Sequence, residues 1–575
     1  MIKYLLSFSM LFFALNIFAQ DDFYRSTSNQ FYWKNRIPNA AYWQQDVHYK
    51  MKAVLDDKTD IIDGVEELTY YNNSPDTLSF VYFHLYQNAF VKGSYLEKLN
   101  IVNGYKQKFG KYELDGKGTE IEKLIITNCN DKKLSYEVHQ SSNINHTGVY
   151  DDFINTYEGV EGKIEFIDNT IIKVALPCNL NPNSSVTFKI KFKTYFDGGG
   201  DQRRRMQVLK DNWGNKQFKV VHWYPRICVY DRKFGWETDQ HLGKEFYGDF
   251  GWYDAELTLP NNYVMDGTGV LQNRSEVLPD DLRAKLDIKN FKDKPLDSAP
   301  DSTIIPKNGT TKTWKFHADN VHDFAWVADP TFRIGETKIT LPNGHEVSCI
   351  ALAKEPHASR WQDASLFNSK IIETYSRDIG AYVYPKMIVA DASDGMEYPM
   401  LTLDGGLSPG YYGLFAHEVG HNWFFGMVGN NETYRAALDE GFTQFLTNWS
   451  MTSLFGEIKP SKKNPHPISR MDQTVYFGYV RDAINHDDPQ LNTHSDDFNS
   501  ALNHGGGYGH VYYKTATMLY NLQYVLGDEL FLKAMQHYFD QWKICHPYFE
   551  DFRSSIINYT HVDLNWFFDQ WLETT

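Results

Sequence analysis

The hydrophobic pattern of this 575-residue chain changes its period part of the way along the sequence. From about Ala40 to Phe196, and again in later segments before Lys354, apolar and polar residues alternate in short runs rich in β-branched and aromatic side chains. After about Lys354, apolar residues recur every three to four positions. The first pattern is typical of β-strands and the second of amphipathic helices. We therefore predict an α+β protein, with strands in the first part and mostly helices in the second.

A chain of this length exceeds what one hydrophobic core usually supports, so we predict more than one domain. The change of period puts the boundary near Gly335. The prediction is a leader over residues 1–20, an all-β N-terminal domain of antiparallel sheets over residues 21–335, and a mostly α domain over residues 336–575. Within the first domain, Leu278–Thr310 is poor in apolar residues and rich in Asp, Lys and Pro, which predicts a solvated surface insertion.

The N-terminus is typical of a secretory signal peptide. Lys3 precedes an apolar run over residues 4–18, and Ala19 and Gln20 follow before two acidic residues. A membrane anchor is the alternative, but the run is shorter than the ~20 apolar residues that span a bilayer. We expect an exported protein, periplasmic or secreted, with no stable membrane insertion after cleavage.

Charge and cysteine content limit the partners. The formal net charge of -16 and the pI of about 5.7 oppose binding to phosphate backbones, so we expect no nucleic-acid partner.

The cysteines lack a C-x-x-C pair and are odd in number, which indicates neither a disulfide scaffold nor a thiolate metal site. A single disulfide bond remains open among Cys129, Cys178, Cys228, Cys349 and Cys545.

The stretch "HEVGHNWFF" begins at His417 and carries a second histidine, His421, one helical turn later. Ser408 can cap a helix and Pro409 can occupy its first turn, whereas Gly426 is a plausible end. We therefore predict a helix between these positions, with both imidazoles on one face.

Two imidazoles on one face can bind one metal ion, and Glu418 lies beside them as a candidate general base. Zinc sites that catalyse hydrolysis use three protein ligands, so a third ligand is needed. Glu440 follows His421 after eighteen residues, a spacing that allows a second helix to return beside the first. Alternatives are a chance H-E-x-x-H match and a surface acid at a helix N-terminus. The joint pattern favours a site for one zinc ion at His417, His421 and Glu440.

H-E-x-x-H followed after eighteen residues by "EGF" resembles the gluzincin aminopeptidases, the zinc exopeptidase family of aminopeptidase N. Asp439 stands where that family usually has asparagine. The resemblance implies saddle-like sheets in the N-terminal domain and a thermolysin-like catalytic domain. It also implies hydrolysis of the first peptide bond of peptides that have a free N-terminus.

The segment "DGMEYPML" is similar to the G-x-M-E-N strand of the same family. Gly395 directly precedes Met396 and Glu397, and Tyr398 replaces the final asparagine. In the family the glutamate binds the α-ammonium group of the substrate. The resemblance therefore implies that Glu397 has this role and that Gly395 and Met396 line the substrate site.

The segment "HGGGYGHVYYKTATMLY" is similar to the Y-x-K-G segment of the family. Tyr512 aligns with its tyrosine and Lys514 with its lysine, and Thr515 replaces glycine. The resemblance implies that Tyr512 donates a hydrogen bond to the developing oxyanion. Tyr508 and Tyr513 are neighbouring phenols that remain alternatives for this role.

These residues predict a zinc aminopeptidase in which Glu418 is the general base. A thermolysin-like endopeptidase uses the same three-ligand arrangement and remains an alternative, as does the epoxide hydrolase activity of one branch of the family. A non-catalytic peptide-binding scaffold is the alternative from another class. The preferred N-terminal residue and the oligomeric state are not indicated by the sequence.

Overall fold

The structure is a computed structural model. The predicted leader, residues 1–20, and Tyr508 lie outside the described residues. Within the described part, no helix combines the length and the apolar character needed to cross a bilayer. The structure describes residues 23–138, 164–197, 205–243, 245–460, 462, 465–497 and 509–575.

Strands predominate before residue 355. In chain order they are β1 (Asp46–Asp56), β2 (Ile61–Asn72), β3 (Leu78–His84), β4 (Thr119–Cys129), β5 (Lys132–Val138), β6 (Ile164–Ile167), β7 (Ile171–Leu180), β8 (Ser184–Tyr195), β9 (Gln207–Lys210), β10 (Lys216–Val220), β11 (Arg226–Ile227), β12 (Tyr230–Asp231), β13 (Gly235–Trp236), β14 (Gly251–Pro260), β15 (Val264–Gly267), β16 (Val270–Leu271), β17 (Thr311–Val321), β18 (Trp326–Asp329), β19 (Phe332–Thr340), β20 (Glu346–Lys354), β21 (Lys386–Asp391), β22 (Met396–Tyr398) and β23 (Leu401–Asp404).

Helices predominate after residue 355. The α-helices are α1 (Tyr95–Val102), α2 (Lys111–Leu114), α3 (Arg274–Val277), α4 (Asp280–Leu286), α5 (Ala364–Asp378), α6 (Tyr412–Gly420), α7 (Glu432–Arg435), α8 (Phe442–Phe455), α9 (Phe477–Ile484), α10 (Gly509–Leu526), α11 (Asp528–Trp542), α12 (Phe549–Thr560) and α13 (Asn565–Glu573). This order confirms the predicted α+β class, with sheets first and helices afterwards.

The largest sheet has eight strands in the order β16-β17-β14-β1-β2-β8-β4-β5. Buried and exposed positions alternate along β1 and β2, as the period of two in the sequence predicts. The predicted antiparallel arrangement needs one correction, because β1 runs parallel to β14, with Val47 opposite Gly251. The remaining neighbours in this sheet are antiparallel.

Two four-stranded sheets accompany the large sheet, in the orders β15-β18-β10-β9 and β11-β3-β7-β6. A disulfide bond between Cys129 of β4 and Cys178 of β7 links the large sheet to the second of these. The other three cysteines are buried free thiols: Cys228, Cys349 and Cys545.

A five-stranded mixed sheet, in the order β19-β20-β21-β23-β22, lies under the helices. The neighbours β20, β21 and β23 are parallel, and every residue of β21 is buried, as expected for a parallel sheet that is covered on both faces. The edge strand β22 carries Glu397. Gly335 lies inside β19, and the division of the chain into domains remains a prediction.

The helix predicted around the histidine motif is shorter than expected. It begins at Tyr412 and ends at Gly420, so both predicted ends, Ser408 and Gly426, are wrong. The Ser408 hydroxyl lies 3.3 Å from a carboxylate oxygen of Asp363 instead of capping the helix. Beyond the helix the chain forms turns that carry it toward the C-terminal helices, because the amide of Gly429 donates to the carbonyl of Cys545 at 2.9 Å. Tertiary hydrogen bonds therefore override the local capping signals.

Candidate active site

Two short elements bring His417, His421 and Glu440 together. His417 lies in the last turn of α6 and His421 directly after it, while Glu440 lies in the π-helical turn Ala437–Gly441 that leads into α8. One carboxylate oxygen of Glu440, Oε2, is 3.1 Å from Nε2 of His417 and 3.3 Å from Nε2 of His421. The three donor atoms all lie within 4.8 Å of one another.

Thr447 determines which nitrogen of His417 faces the site. Its hydroxyl donates to the backbone carbonyl of Thr443 at 2.7 Å, so its oxygen is left to accept from Nδ1 of His417 at 3.1 Å. Nδ1 therefore carries a proton, and Nε2, which contacts the carboxylate of Glu440, is the nitrogen left to bind a metal ion. This is the tautomer that a metal-binding histidine needs.

His421 has the same orientation for a different reason. Its Nδ1 contacts the carboxylate of Asp439 and lies 3.2 Å from the hydroxyl of Thr443. Asp439 and His421 are fully buried, so the pair is shielded from water. A carboxylate behind a histidine fixes the ring and makes its other nitrogen a better ligand.

Burial and neighbouring charges act in opposite directions on the pKa values of His421 and Glu440. Burial lowers the pKa of the His421 imidazole, but the carboxylates of Asp439, Glu397 and Glu440 outweigh burial, and the pKa lies well above its ordinary value. Burial raises the pKa of the Glu440 carboxyl, but His421 and His417 outweigh it and hold the pKa below the usual range. Glu440 is therefore an ionised carboxylate beside two imidazoles.

The three side chains fit a zinc ion. Zinc binds imidazole nitrogen and carboxylate oxygen, and catalytic zinc sites take three protein ligands and keep one position open. The carboxylate of Glu440 is also close enough to both imidazoles to share one ion with them. Positive charge at this point would balance the acidic groups buried around it.

Glu418 lies beside this group and is 5% exposed. A Cβ atom at position 395 would lie 2.9 Å from Oε1 of Glu418, so Gly395 allows the strand and the carboxylate to approach closely. Burial raises the pKa of Glu418 well above its ordinary value, and the nearby His421 opposes the shift. A carboxylate with such a pKa can both accept and return a proton.

Glu397 lies on β22 and is buried, as are its neighbours Met396 and Tyr398. Its carboxylate belongs to a group with His421, Asp439 and Glu440 in which the donor atoms lie within 4.8 Å of one another. Its Oε1 atom has no hydrogen-bond partner among the described residues. The structure thus places a buried carboxylate with free acceptor capacity beside two of the candidate metal ligands, His421 and Glu440.

Tyr512 lies in the first turns of α10, and its hydroxyl donates to Oε1 of Glu440. Its ring stacks on that of His417, with the centroids 5.8 Å apart. Tyr513 instead lies against Gly478, where a Cβ atom would meet its ring at 2.6 Å. Of these two tyrosines, Tyr512 is the one with a hydroxyl in the site.

Sequence reasoning missed several residues of this site. Thr443 and Thr447 follow Glu440 by three and seven residues, a helical spacing that places them on the ligand face and could have revealed them. Glu245 and Glu432 have no such signal, because they reach Glu397 only through the tertiary fold.

Comparisons with known proteins agree with this geometry. Residues 411–571 match the "Peptidase family M1 domain" model. A 165-residue stretch is 26% identical to aminopeptidase N of Lactococcus lactis subsp. lactis, and it covers 28% of this chain and 18% of that protein. The match therefore spans less than a fifth of the curated relative.

Solved structures resemble nearly the whole fold. The M1 zinc metallopeptidase of Deinococcus radiodurans is 11% identical with a TM-score of 0.57, and the likeness covers 92% of this chain and 94% of that one. Legionella pneumophila aminopeptidase A is 15% identical with a TM-score of 0.55, and the likeness covers 93% of this chain and 50% of that one. Residues 411–571, which contain His417, His421 and Glu440, therefore match a peptidase family M1 domain, and the chain shares the fold of M1 zinc metallopeptidases.

Proposed function

We propose that this protein is a zinc-dependent aminopeptidase that hydrolyses the first peptide bond of peptides with a free N-terminus. The observation that carries the proposal is the buried carboxylate of Glu397, with an unpartnered oxygen, beside the donor group of His421 and Glu440. Solved structures of similar proteins support it. One Deinococcus radiodurans structure holds a Tyr-Ser-Ala substrate, and the Legionella aminopeptidase A structure holds aspartic acid.

His417, His421 and Glu440 would hold the zinc ion through Nε2, Nε2 and the carboxylate. When bound, zinc supplies a Lewis acid that polarises the scissile carbonyl and the attacking water. Thr447 and Asp439 keep the two imidazoles in the required tautomer, because each accepts the proton of an Nδ1 atom.

Glu418 takes a proton from the attacking water and later gives it to the leaving amine. Its burial beside Gly395 supports this role, because a raised pKa brings a carboxyl closer to neutral pH, where proton transfer in both directions is efficient. The same burial keeps bulk water away from the transferred proton.

Glu397 selects the free N-terminus. A fixed carboxylate beside the metal ligands attracts the α-ammonium group, which places only the first peptide bond over the reacting centre. An endopeptidase has no need for a buried negative charge at this position, so Glu397 favours the exopeptidase over the thermolysin-like alternative.

Tyr512 donates a hydrogen bond to the oxyanion that develops during attack. In the structure its hydroxyl donates to Glu440, which places it beside the candidate metal ligands. A neutral phenol that is already aimed at this point stabilises negative charge that exists only in the transition state.

Fluorogenic aminoacyl-coumarin amides and their N-acetylated versions test this function. We expect the free amines to be hydrolysed and the acetylated forms to be inert, because acetylation removes the positive charge that Glu397 binds. Equal rates on both series would contradict the exopeptidase assignment and favour an endopeptidase. A separate assay with lipid epoxides as substrates tests the alternative of epoxide hydrolase activity.

The variant Glu418→Gln separates an enzyme from a peptide-binding scaffold. We expect kcat to fall by at least about a hundredfold, because general acid–base catalysis contributes that much or more, while one zinc ion per chain is retained. The matched control is Glu66→Gln, which changes another buried carboxyl, on β2, and should leave kcat unchanged. Unchanged turnover in Glu418→Gln would remove Glu418 from the mechanism.

We also propose that the chain is exported, to the periplasm or the medium. The Cys129–Cys178 disulfide bond supports this, since disulfide bonds persist in oxidising compartments and are rare in the reducing cytosol. Fractionation of the native cells, with mass spectrometry of the purified chain, should find a protein that begins after residue 20. A cytosolic protein that retains Met1 would contradict export.

A further inference from the structure

The loop between β21 and β22, residues 392–395, lies against the candidate general base. Gly395 ends this loop, and a Cβ atom on it would lie 2.9 Å from Oε1 of Glu418. Ser393, inside the loop, has a φ of 53°, in the left-handed region that side chains other than glycine rarely adopt. Such a conformation persists only where the surrounding structure holds it. Contacts from outside the loop must therefore determine where Gly395 lies.

Strand β10 supplies two of these contacts. It belongs to the strand-rich part of the chain, in the sheet β15-β18-β10-β9. Gln217 and Lys219 are two residues apart on β10, so their side chains extend from the same face. The amide of Gln217 donates to the backbone carbonyl of Asp391 at 2.8 Å, before the loop begins. The ammonium of Lys219 donates to Oδ2 of Asp394 at 2.6 Å, near the end of the loop.

The pair of Lys219 and Asp394 is shielded from water and acts on the backbone of the loop. The Lys219 side chain is 3% exposed and that of Asp394 is 23% exposed. A buried ammonium depends on its charged partner more strongly than a surface ion pair does. The other oxygen of Asp394, Oδ1, accepts from the backbone amide of Gly395 at 3.1 Å. Lys219 therefore fixes the Asp394 carboxylate, and this carboxylate fixes Gly395.

Glu397 is held in place by a different set of contacts. It lies opposite Thr402 in the antiparallel ladder of β22 and β23, which does not involve β10. Gly395 precedes the first residue of β22 and lies outside this ladder. Loss of the Lys219 contact should therefore move Gly395 relative to Glu418 and leave Glu397 where it is.

We propose that Lys219 is a positioning residue for the reaction: through Asp394 it sets Gly395 against Glu418 and so orients the carboxylate of the general base. The proposal rests on the proposed aminopeptidase function. Proton transfer needs the carboxylate within hydrogen-bond distance of the attacking water, and a displacement of about 1 Å can lower the rate about a hundredfold. The strand-rich part of the chain thus contributes to catalysis without contacting the substrate.

Kinetics of the zinc-loaded full-length protein test this role. Lys219→Met removes the ammonium and keeps an unbranched side chain of similar size. We expect kcat on leucyl-coumarin amide to fall about tenfold, with KM within about twofold of wild type, because the ladder still holds Glu397. The control is Lys216→Met on the same strand, whose ammonium pairs with Asp60 at 2.5 Å, and its kcat should equal that of wild type. A wild-type kcat in Lys219→Met, or a loss in KM alone, would overturn the proposal.

A double-mutant cycle tests the path through Asp394. Asp394→Ala should lower kcat by a similar factor, and the double variant should be no slower than Lys219→Met, because the second change breaks a contact that is already lost. Losses that multiply in the double variant would contradict this path. Asp394 is partly exposed, so Asp394→Ala still decides the question if Lys219→Met fails to fold. A wild-type kcat in Asp394→Ala would overturn the role of the pair.

The same logic tests whether Lys219 acts through the general base. In the Glu418→Gln background, Lys219→Met should lower the residual kcat no further, since the carboxylate that it orients is absent. A further tenfold loss in that background would overturn the proposal.

Binding measurements separate this positioning role from damage to the whole site. By metal analysis and calorimetry, we expect Lys219→Met to retain one zinc ion per chain and the wild-type affinity for L-leucine. Loss of either would overturn a role confined to Glu418. If wild type hydrolyses no aminoacyl amide, the proposed function fails, whereas normal hydrolysis by wild type with unchanged kcat in Lys219→Met sinks only the role of Lys219.

Discussion

At the scale of single residues, the orientation of two imidazole rings determines what the site can bind. His417 and His421 each have Nδ1 occupied, by Thr447 and by Asp439, so each presents Nε2 toward Glu440. The spacing of the motif predicts the three candidate ligands, because residues four apart on a helix share a face. Helical spacing places Thr447 on the same face as Glu440, but its contact with His417 requires α8 to lie beside α6, which only the tertiary structure shows.

The variant Thr447→Val tests the role of this hydroxyl. Without an acceptor for its Nδ1 proton, His417 is no longer held in one tautomer, and we expect zinc affinity to fall about tenfold or more. Competition with a chelator of known affinity measures the change. Thr452→Val, in the last turn of the same helix, is the matched control and should bind zinc as wild type does. Equal zinc affinities of Thr447→Val and Thr452→Val would show that the Thr447 hydroxyl does not orient His417.

At the scale of elements, a row of histidines and aspartates joins three strands of the large sheet. Asp254 of β14 contacts His48 of β1 at 2.9 Å and His317 of β17 at 2.7 Å, and His317 also contacts Asp319 at 3.1 Å. Burial lowers the pKa of His317, but the bonds to Asp254 and Asp319 outweigh burial and raise the pKa to about 10. Burial likewise raises the pKa of Asp254, but its two histidines hold it below the usual range.

These shifts predict how the stability of the sheet depends on pH. An unfolded histidine has a pKa of about 6.5, so the contribution of His317 to stability is complete below that pH and is lost progressively as pH rises toward 10. We expect His317→Gln to lower the melting temperature by a few degrees at pH 6 and to have little effect near pH 10. Thermal unfolding at several pH values measures this.

The exposed residue His466 provides the control for this series. His466→Gln should leave the melting temperature within error of wild type throughout the same pH range. A constant difference between His317→Gln and wild type from pH 6 to pH 10 would show that His317 stabilises the sheet by packing alone.

At the scale of the whole molecule, the candidate site joins both parts of the chain. Glu245 belongs to the strand-rich part, whereas Glu397, Glu432 and Glu440 belong to the part that follows. The carboxylates and imidazoles are buried together, and a bound cation would balance the negative charge among them. Metal binding is therefore expected to stabilise the fold as well as to support catalysis.

Removal of zinc should lower the melting temperature and abolish turnover together. A ligand present at a hundred times its Kd contributes about 2.7 kcal/mol, which corresponds to about 2 °C for a chain of 575 residues. Calorimetry and aminoacyl-coumarin hydrolysis, before and after dialysis against a chelator, measure both effects. Added zinc should restore both. A melting temperature that does not respond to zinc would contradict binding at a buried site.

The sequence by itself determined the α+β class and the three candidate ligands, because hydrophobic period and helical spacing are local properties of the chain. The tertiary structure alone decided that α6 ends at Gly420, that β1 runs parallel to β14, and that Glu245 and Glu432 lie beside Glu397. Each of these depends on contacts between segments far apart in the sequence. The free energy of such contacts outweighs local propensity, and no short pattern records it.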